Sequence, residues 1–110
     1  MAEKNKKMTR LKWIEFIRVR STAIMLNSNI HSIKKMVVEI EGNTHEASPL
    51  IMQHALYDGD LAIVIIWNNS MTPEKSREGL MLANKLEKLG AVDHAVWIPT
   101  GNIPGKDEKE

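Results

Sequence analysis

From Asp60 to Asn68 the chain reads D-L-A-I-V-I-I-W-N, with seven apolar residues in a row from Leu61 to Trp67. Successive strand residues point to opposite faces. Leu61, Ile63, Ile65 and Trp67 therefore share one face, and Ala62, Val64 and Ile66 share the other. Neither face has a polar position, so both need a cover. In a chain this small, one cover is the helix layer and the other is a partner's sheet.

Other segments carry different periods. Residues 11–20, L-K-W-I-E-F-I-R-V-R, are rich in β-branched and aromatic types and predict a first strand. Leu11, Trp13, Ile17 and Val19 lie on one face with Glu15. Ile14 and Phe16 lie on the other with Lys12, Arg18 and Arg20. Leu26, Ile30, Ile33, Val37 and Ile40 follow the four-three spacing of an amphipathic helix, with Asn27 or Ser28 as start and Gly42 as stop. Leu50–Tyr57 and Asp60–Asn68 read as two strands about Asp58-Gly59, a hairpin dipeptide. Thr72-Pro73-Glu74 predicts a second helix by cap, N1 proline and first-turn acid, and Gly79, Leu82, Ala83, Leu86 and Leu89 form its buried stripe before Gly90. Val92–Ile98 is a last strand, stopped by Pro99.

The order β-α-β-β-α-β with a central hairpin predicts an α+β ferredoxin-like domain. It has a four-stranded antiparallel sheet in the order 4-1-3-2 with both helices on one face. The domain is expected over residues 10–100, between a polar tail at 1–9 and a charged tail at 101–110; Met8 is a second candidate start.

Composition removes several function classes. Net charge is +1, which gives no field for nucleic acid or acidic membranes. There is no cysteine, so disulfides, thiolate catalysis and Cys-zinc sites are out, and a reducing cytoplasm is the expected location. The N-terminus M-A-E-K-N-K-K-M lacks the apolar core of a signal peptide. The Leu61–Trp67 run is far short of the ~20 residues that span a bilayer. A chain of 110 residues buries only part of its surface alone, which again favours association.

With these elements in place, L-A-I-V-I-I-W-N-N-S-M-T-P-E, a tryptophan ending the third strand before a polar turn and helix, is the most telling stretch. Over residues 11–99 the chain resembles the dimeric α/β-barrel superfamily, and within it the antibiotic-biosynthesis-monooxygenase-like proteins. The resemblance implies a homodimer through the sheet face and a small-molecule cavity between sheet and helices or near the interface. It also implies oxidation of aromatic or quinone-type substrates without metal or flavin, the substrate supplying the electrons; other members are non-catalytic binders. Family members often have an acid two residues before that tryptophan and a histidine in the next helix. Here Ile65 and a histidine-free helix stand there, which disfavours haem held by that histidine.

The candidate site residues follow from pattern and resemblance together. His54 and His94 alternate in phase with apolar neighbours on the two edge strands, as bases or ligands in a pocket shared across a face-to-face dimer, or as edge histidines merely satisfied by hydrogen bonds. His31 points to solvent by periodicity, and His45 lies in a polar loop. Glu15, mid-strand among apolar residues, is a pocket acid or base, or half of an interface salt bridge. Trp67, Tyr57 and Phe16 are candidates to stack on a flat ligand, against the ordinary role of aromatics as core anchors. Asn68 and Asn69 stand at a pocket mouth or cap the turn. No H-x-H or H-E-x-x-H spacing supports a metal, and no phosphate loop or G-x-S-x-G occurs. No cofactor is expected. A domain whose cavity is filled by its own side chains is the third reading.

Overall fold

The computed structural model of the chain describes residues 12–100. The expected tails, and Leu11 of the first-strand stripe, lie outside the described residues. Six elements follow in order: β1 (Trp13–Arg20), α1 (Ala23–Asn43), β2 (Ala47–Gln53), β3 (Asp60–Trp67), α2 (Arg77–Leu86) and β4 (Ala91–Trp97). The four strands form one antiparallel sheet in the order β2-β3-β1-β4, the expected ferredoxin-like arrangement.

The alternation settles which face is which. Trp13, Glu15, Ile17 and Val19 of β1 and Leu61, Ile63, Ile65 and Trp67 of β3 are buried, and the apolar ones join Leu26, Ile33, Val37, Ile40, Leu82 and Leu86 from the helices in one cluster. Full burial of an aliphatic side chain contributes about 1.5–3 kcal/mol, so this layer dominates the favourable terms. The opposite face carries Ile14, Phe16, Ala62, Val64 and Ile66, and its apolar edges are open: Leu50 is 50% exposed, Met52 51% and Trp97 59%. At its end Arg18 Nη2 donates to Asp60 Oδ2 at 2.7 Å. Hydrogen bonding to Arg18 and its positive charge hold the Asp60 carboxyl below its ordinary range against the opposing effect of burial, and the Arg18 guanidinium is correspondingly raised.

Element ends differ from the sequence expectations for local reasons. α1 begins after Thr22, whose hydroxyl accepts from Met25 N–H, five or six residues before the expected caps Asn27 and Ser28, and it runs through Gly42 to Asn43. β2 spans Ala47–Gln53 rather than Leu50–Tyr57. Past Gln53 the imidazole of His54 turns back, and its Nδ1 accepts from Leu56 N–H at 3.0 Å and Tyr57 N–H at 3.3 Å. The connection is therefore longer than a two-residue hairpin, although Asp58-Gly59 does form a turn within it, closed by Asp60 N–H to the Tyr57 carbonyl at 3.1 Å, and no glycine among the described residues has a positive φ. Gly59 serves close approach instead: its carbonyl accepts from Ser21 N–H at 2.7 Å, and a Cβ there would strike the Ser21 backbone. α2 starts at Arg77 with Ser76 as cap, not at Thr72-Pro73.

Candidate functional site

Glu15 sits mid-strand on the helix-facing side of the sheet and is fully buried. Strand register puts Val96 beside it on β4 and Ile65 on β3, so its neighbours along the sheet are apolar. An isolated charge there would be prohibitively costly, and the surrounding elements supply its partners. Trp67, two residues along β3 from Ile65, donates its indole N–H to Oε1 at 3.0 Å. Ser76, the cap of α2, donates its hydroxyl to Oε1 at 2.7 Å and its backbone N–H to Oε2 at 2.9 Å. His94 on β4 reaches Oε2 through Nε2 at 2.6 Å, with its side chain 7% exposed.

The carboxyl group thus meets four polar partners: it accepts from Trp67 and twice from Ser76, and its contact with His94 Nε2 takes its direction from the imidazole tautomer. The carboxylate also meets the positive end of α2. Room for it comes from Gly79, where a Cβ would overlap the carboxylate oxygens. Ser76 serves twice, since its hydroxyl also accepts from Gly79 N–H at 2.9 Å.

Next to this network lies a cleft of about 280 Å³. Its floor is Trp13 stacked on Trp67, ring centres 5.5 Å apart and planes 18° from parallel. Its walls include Asn69, Met71, Ser76 and Glu78. Asn69 is fixed in place: Oδ1 accepts from Trp13 Nε1–H at 2.9 Å and from Met71 N–H at 3.2 Å, while Nδ2 donates to Glu46 at 3.2 Å. The cleft touches the buried pair through Trp67 and Ser76 rather than through Glu15 or His94 themselves.

The expected residues thus fall into two groups. Glu15, His94 and Trp67 come together on the helix side. That corrects two expectations: Glu15 does not face a sheet-face interface, and His94 does not point towards a pocket shared there. His54 and Phe16 line a separate hollow of about 220 Å³ on the open face, together with Arg18, Met52 and Asp60. Tyr57 is exposed and tilts against His54, ring centres 4.8 Å apart. Asn68 is exposed and enters only through its backbone N–H to Glu46, so Asn69 is the asparagine at the cleft. His31 and His45 are exposed. Sequence reasoning missed Ser76, Gly79 and Trp13 as parts of this cluster. The one available signal was an S-x-x-G beginning a helical stripe, with the cap serine three residues before a glycine on the buried face. Among the described residues, no cluster of three or more His, Asp or Glu is placed to hold a metal.

No family model and no curated protein matches the chain. Solved structures do. A conserved protein of Methanosarcina mazei superposes with a TM-score of 0.63 at 9% identity, covering 84% of this chain and 97% of its own. A Bacteroides thetaiotaomicron protein of unknown function, described as a possible oxidoreductase, gives 0.60 at 10% identity, covering 80% and 97%. A point mutant of SnoaB, a cofactor-independent oxygenase from Streptomyces nogalater, gives 0.53 at 11% identity, covering 86% and 98%. These structures share the α+β ferredoxin-like fold of this chain. At these identities the likeness establishes architecture. The Glu15 network lies between the sheet and α2, whereas the Trp13–Trp67 cleft opens at the ends of β1 and β3 and is walled mostly by the loops before β2 and α2. None of the helices among the described residues is long and apolar enough to cross a membrane.

Proposed function

We propose that the chain is an antibiotic-biosynthesis-monooxygenase-like protein that binds a small aromatic or quinone-type molecule in the Trp13–Trp67 cleft and oxidises it without metal or flavin. The observation that carries this reading is the buried Glu15–His94 pair, tied to the cleft through Trp67 and Ser76. In it, Trp67 borders the ring, and the Glu15–His94 pair, which does not line the cleft, holds Trp67 and Ser76 in position behind it. A hydroquinone and dioxygen become a hydroxyquinone and water, with the substrate supplying all the electrons. Likeness to a cofactor-independent oxygenase supports the class of chemistry.

A homodimer belongs to the same proposal. The open sheet face, with Leu50, Met52 and Trp97 exposed and Phe16 half-buried, is an apolar surface of the kind a second copy covers. Light scattering tests it: Leu50→Lys with Met52→Lys yields a monomer, and a wild-type chain that is monomeric at micromolar concentration refutes it. The cysteine-free composition suits the cytoplasm.

The second reading is a non-catalytic binding module, favoured by the complete burial of Glu15. Oxygen uptake with a panel of hydroquinones separates the two. Oxidation predicts protein-dependent uptake that falls in His94→Ala and Glu15→Gln as Trp67 and Ser76 lose their support. Saturable binding without uptake identifies a binder.

A further inference from the structure

We propose that a second copy of the chain is locked onto the open sheet face by Trp97, whose indole enters the hollow beside Phe16, Arg18 and Asp60 of the other copy; this rests on the homodimer reading and names the contact that holds it. Trp97 differs from the other tryptophans. Trp13 and Trp67 are buried, and their indole N–H groups are engaged. Trp97 is mostly exposed, and its N–H meets no acceptor among the described residues. Pairing with Ile14 places it on the open face. An indole exposed on an apolar face is the kind of anchor that interfaces bury in pockets.

The hollow of about 220 Å³ on the same face is the pocket. Phe16, Met52 and Ala62 give it apolar sides. At its base Arg18 holds Asp60 Oδ2, and the Arg18 side chain stays 29% exposed. Asp60 is only 7% exposed, and its Oδ1 is buried with no partner. A buried carboxylate oxygen without a donor is costly, so the single chain leaves this end of the sheet incomplete. An indole supplies what is missing: a flat surface for Phe16 and for the Arg18 guanidinium, and an N–H for the carboxylate. Met52, unbranched and half-exposed, yields to admit it.

Indole and hollow cannot meet within one chain. The hollow lies over β2, β3 and β1 near the level of Arg18, whereas Trp97 lies on the β4 edge at the level of Ile14, four residues back along β1. Strand spacings put them about 10 Å apart across the sheet and about 13 Å apart along it. A twofold axis over Phe16, midway between them, carries each onto the other. The same rotation repeats the contact, so a closed dimer contains two identical locks. That axis runs obliquely to the strands, and the two sheets cross steeply, as in orthogonal sheet packing.

The test is light scattering of the full chain over a dilution series. A tryptophan anchor contributes about 30-fold or more to a dissociation constant. Trp97→Ala removes the indole from both locks and is expected to weaken the dimer by about 10³-fold. Ala62→Phe fills both hollows and has the same effect; Met52→Trp fills them from the exposed rim should Ala62→Phe fail to fold. Mixed together, the two variants keep one lock, so their heterodimer is about 30-fold tighter than either homodimer. Acrylamide quenching follows Trp97 directly, since dimerisation shields it. A dimer undiminished by Trp97→Ala, or one whose Trp97 stays open to the quencher, overturns the lock and leaves the homodimer standing. Weakened variants that gain nothing on mixing overturn the pairing of Trp97 with the hollow. A wild-type chain that stays monomeric at micromolar concentration removes the homodimer reading, and the lock with it.

Discussion

Replacing Gly79 by alanine is the sharpest test of the buried network. In a helix this change ordinarily stabilises by about 1 kcal/mol, since glycine carries excess backbone freedom. Here the added Cβ would occupy the space of the Glu15 carboxylate. Glu15 cannot retreat, because β1 is paired on both sides and the residue is fully buried. The carboxylate must shift, and with it the bonds from Ser76, Trp67 and His94. Hydrogen bonds to a charged group are worth ~1.5–3 kcal/mol each. Losing two costs about 3–6 kcal/mol, which the helix gain offsets by about 1, leaving a loss of roughly 2–5 kcal/mol. At about 4–8 °C per kcal/mol for a chain of this size, Tm falls by roughly 10–40 °C. Gly42, also within a helix, has nothing within 4 Å of its Cβ position. Gly42→Ala is therefore the internal control, expected to raise stability by ~0.5–1 kcal/mol. Urea and thermal unfolding followed by circular dichroism read both. A Gly79→Ala chain as stable as wild type would refute the placement of Glu15 against α2.

Three further outcomes follow from the same geometry. Ser76→Asn keeps a capping side chain for α2, whereas Ser76→Ala loses the cap and the hydroxyl to Glu15; urea midpoints should place alanine about 1–2 kcal/mol below asparagine, and equal midpoints would contradict the double role of Ser76. Asp60 has its carboxyl held low by Arg18, so its stabilising effect is complete above the ordinary carboxylate range and is lost as pH falls through the lower folded-state value. Asp60→Asn should flatten that part of the acid-unfolding curve, and an unchanged curve would show that the pair contributes nothing in solution. The Trp13–Trp67 stack should give a paired near-ultraviolet dichroism band that disappears in Trp13→Phe or Trp67→Phe but persists in Trp97→Phe, since Trp97 is exposed.

The strand and helix order could be read from the chain because each element carries its own period, and the hydrophobic run of β3 fixed its interior place. The ends were harder. His54 looked like a strand residue by alternation, but its ring caps two backbone N–H groups of the loop, a competition that alternation cannot register. Thr72-Pro73-Glu74 has every local feature of a helix start, yet the helix begins at Ser76, where Glu15 from β1 supplies an acceptor sixty-one residues away in sequence. Glu15 and His94 drew notice as polar residues in apolar strands. Their direct contact depends on the register of β1 against β4, which periodicity does not contain. Gly79 read as an ordinary stripe residue, because its importance lies in what a missing side chain makes room for.

The Glu15 network also bears on the order in which the chain can fold. Its partners lie 52, 61 and 79 residues downstream, on β3, at the cap of α2 and on β4. Until all three have arrived, taking the carboxylate out of water leaves it short of donors. A β1–β3 ribbon formed early must therefore keep Glu15 wet, and the sheet can close over it only when α2 and β4 dock. The same carboxylate that anchors the finished helix acts as a gate on the last step of assembly, penalising any compact state in which the C-terminal half is missing or misplaced.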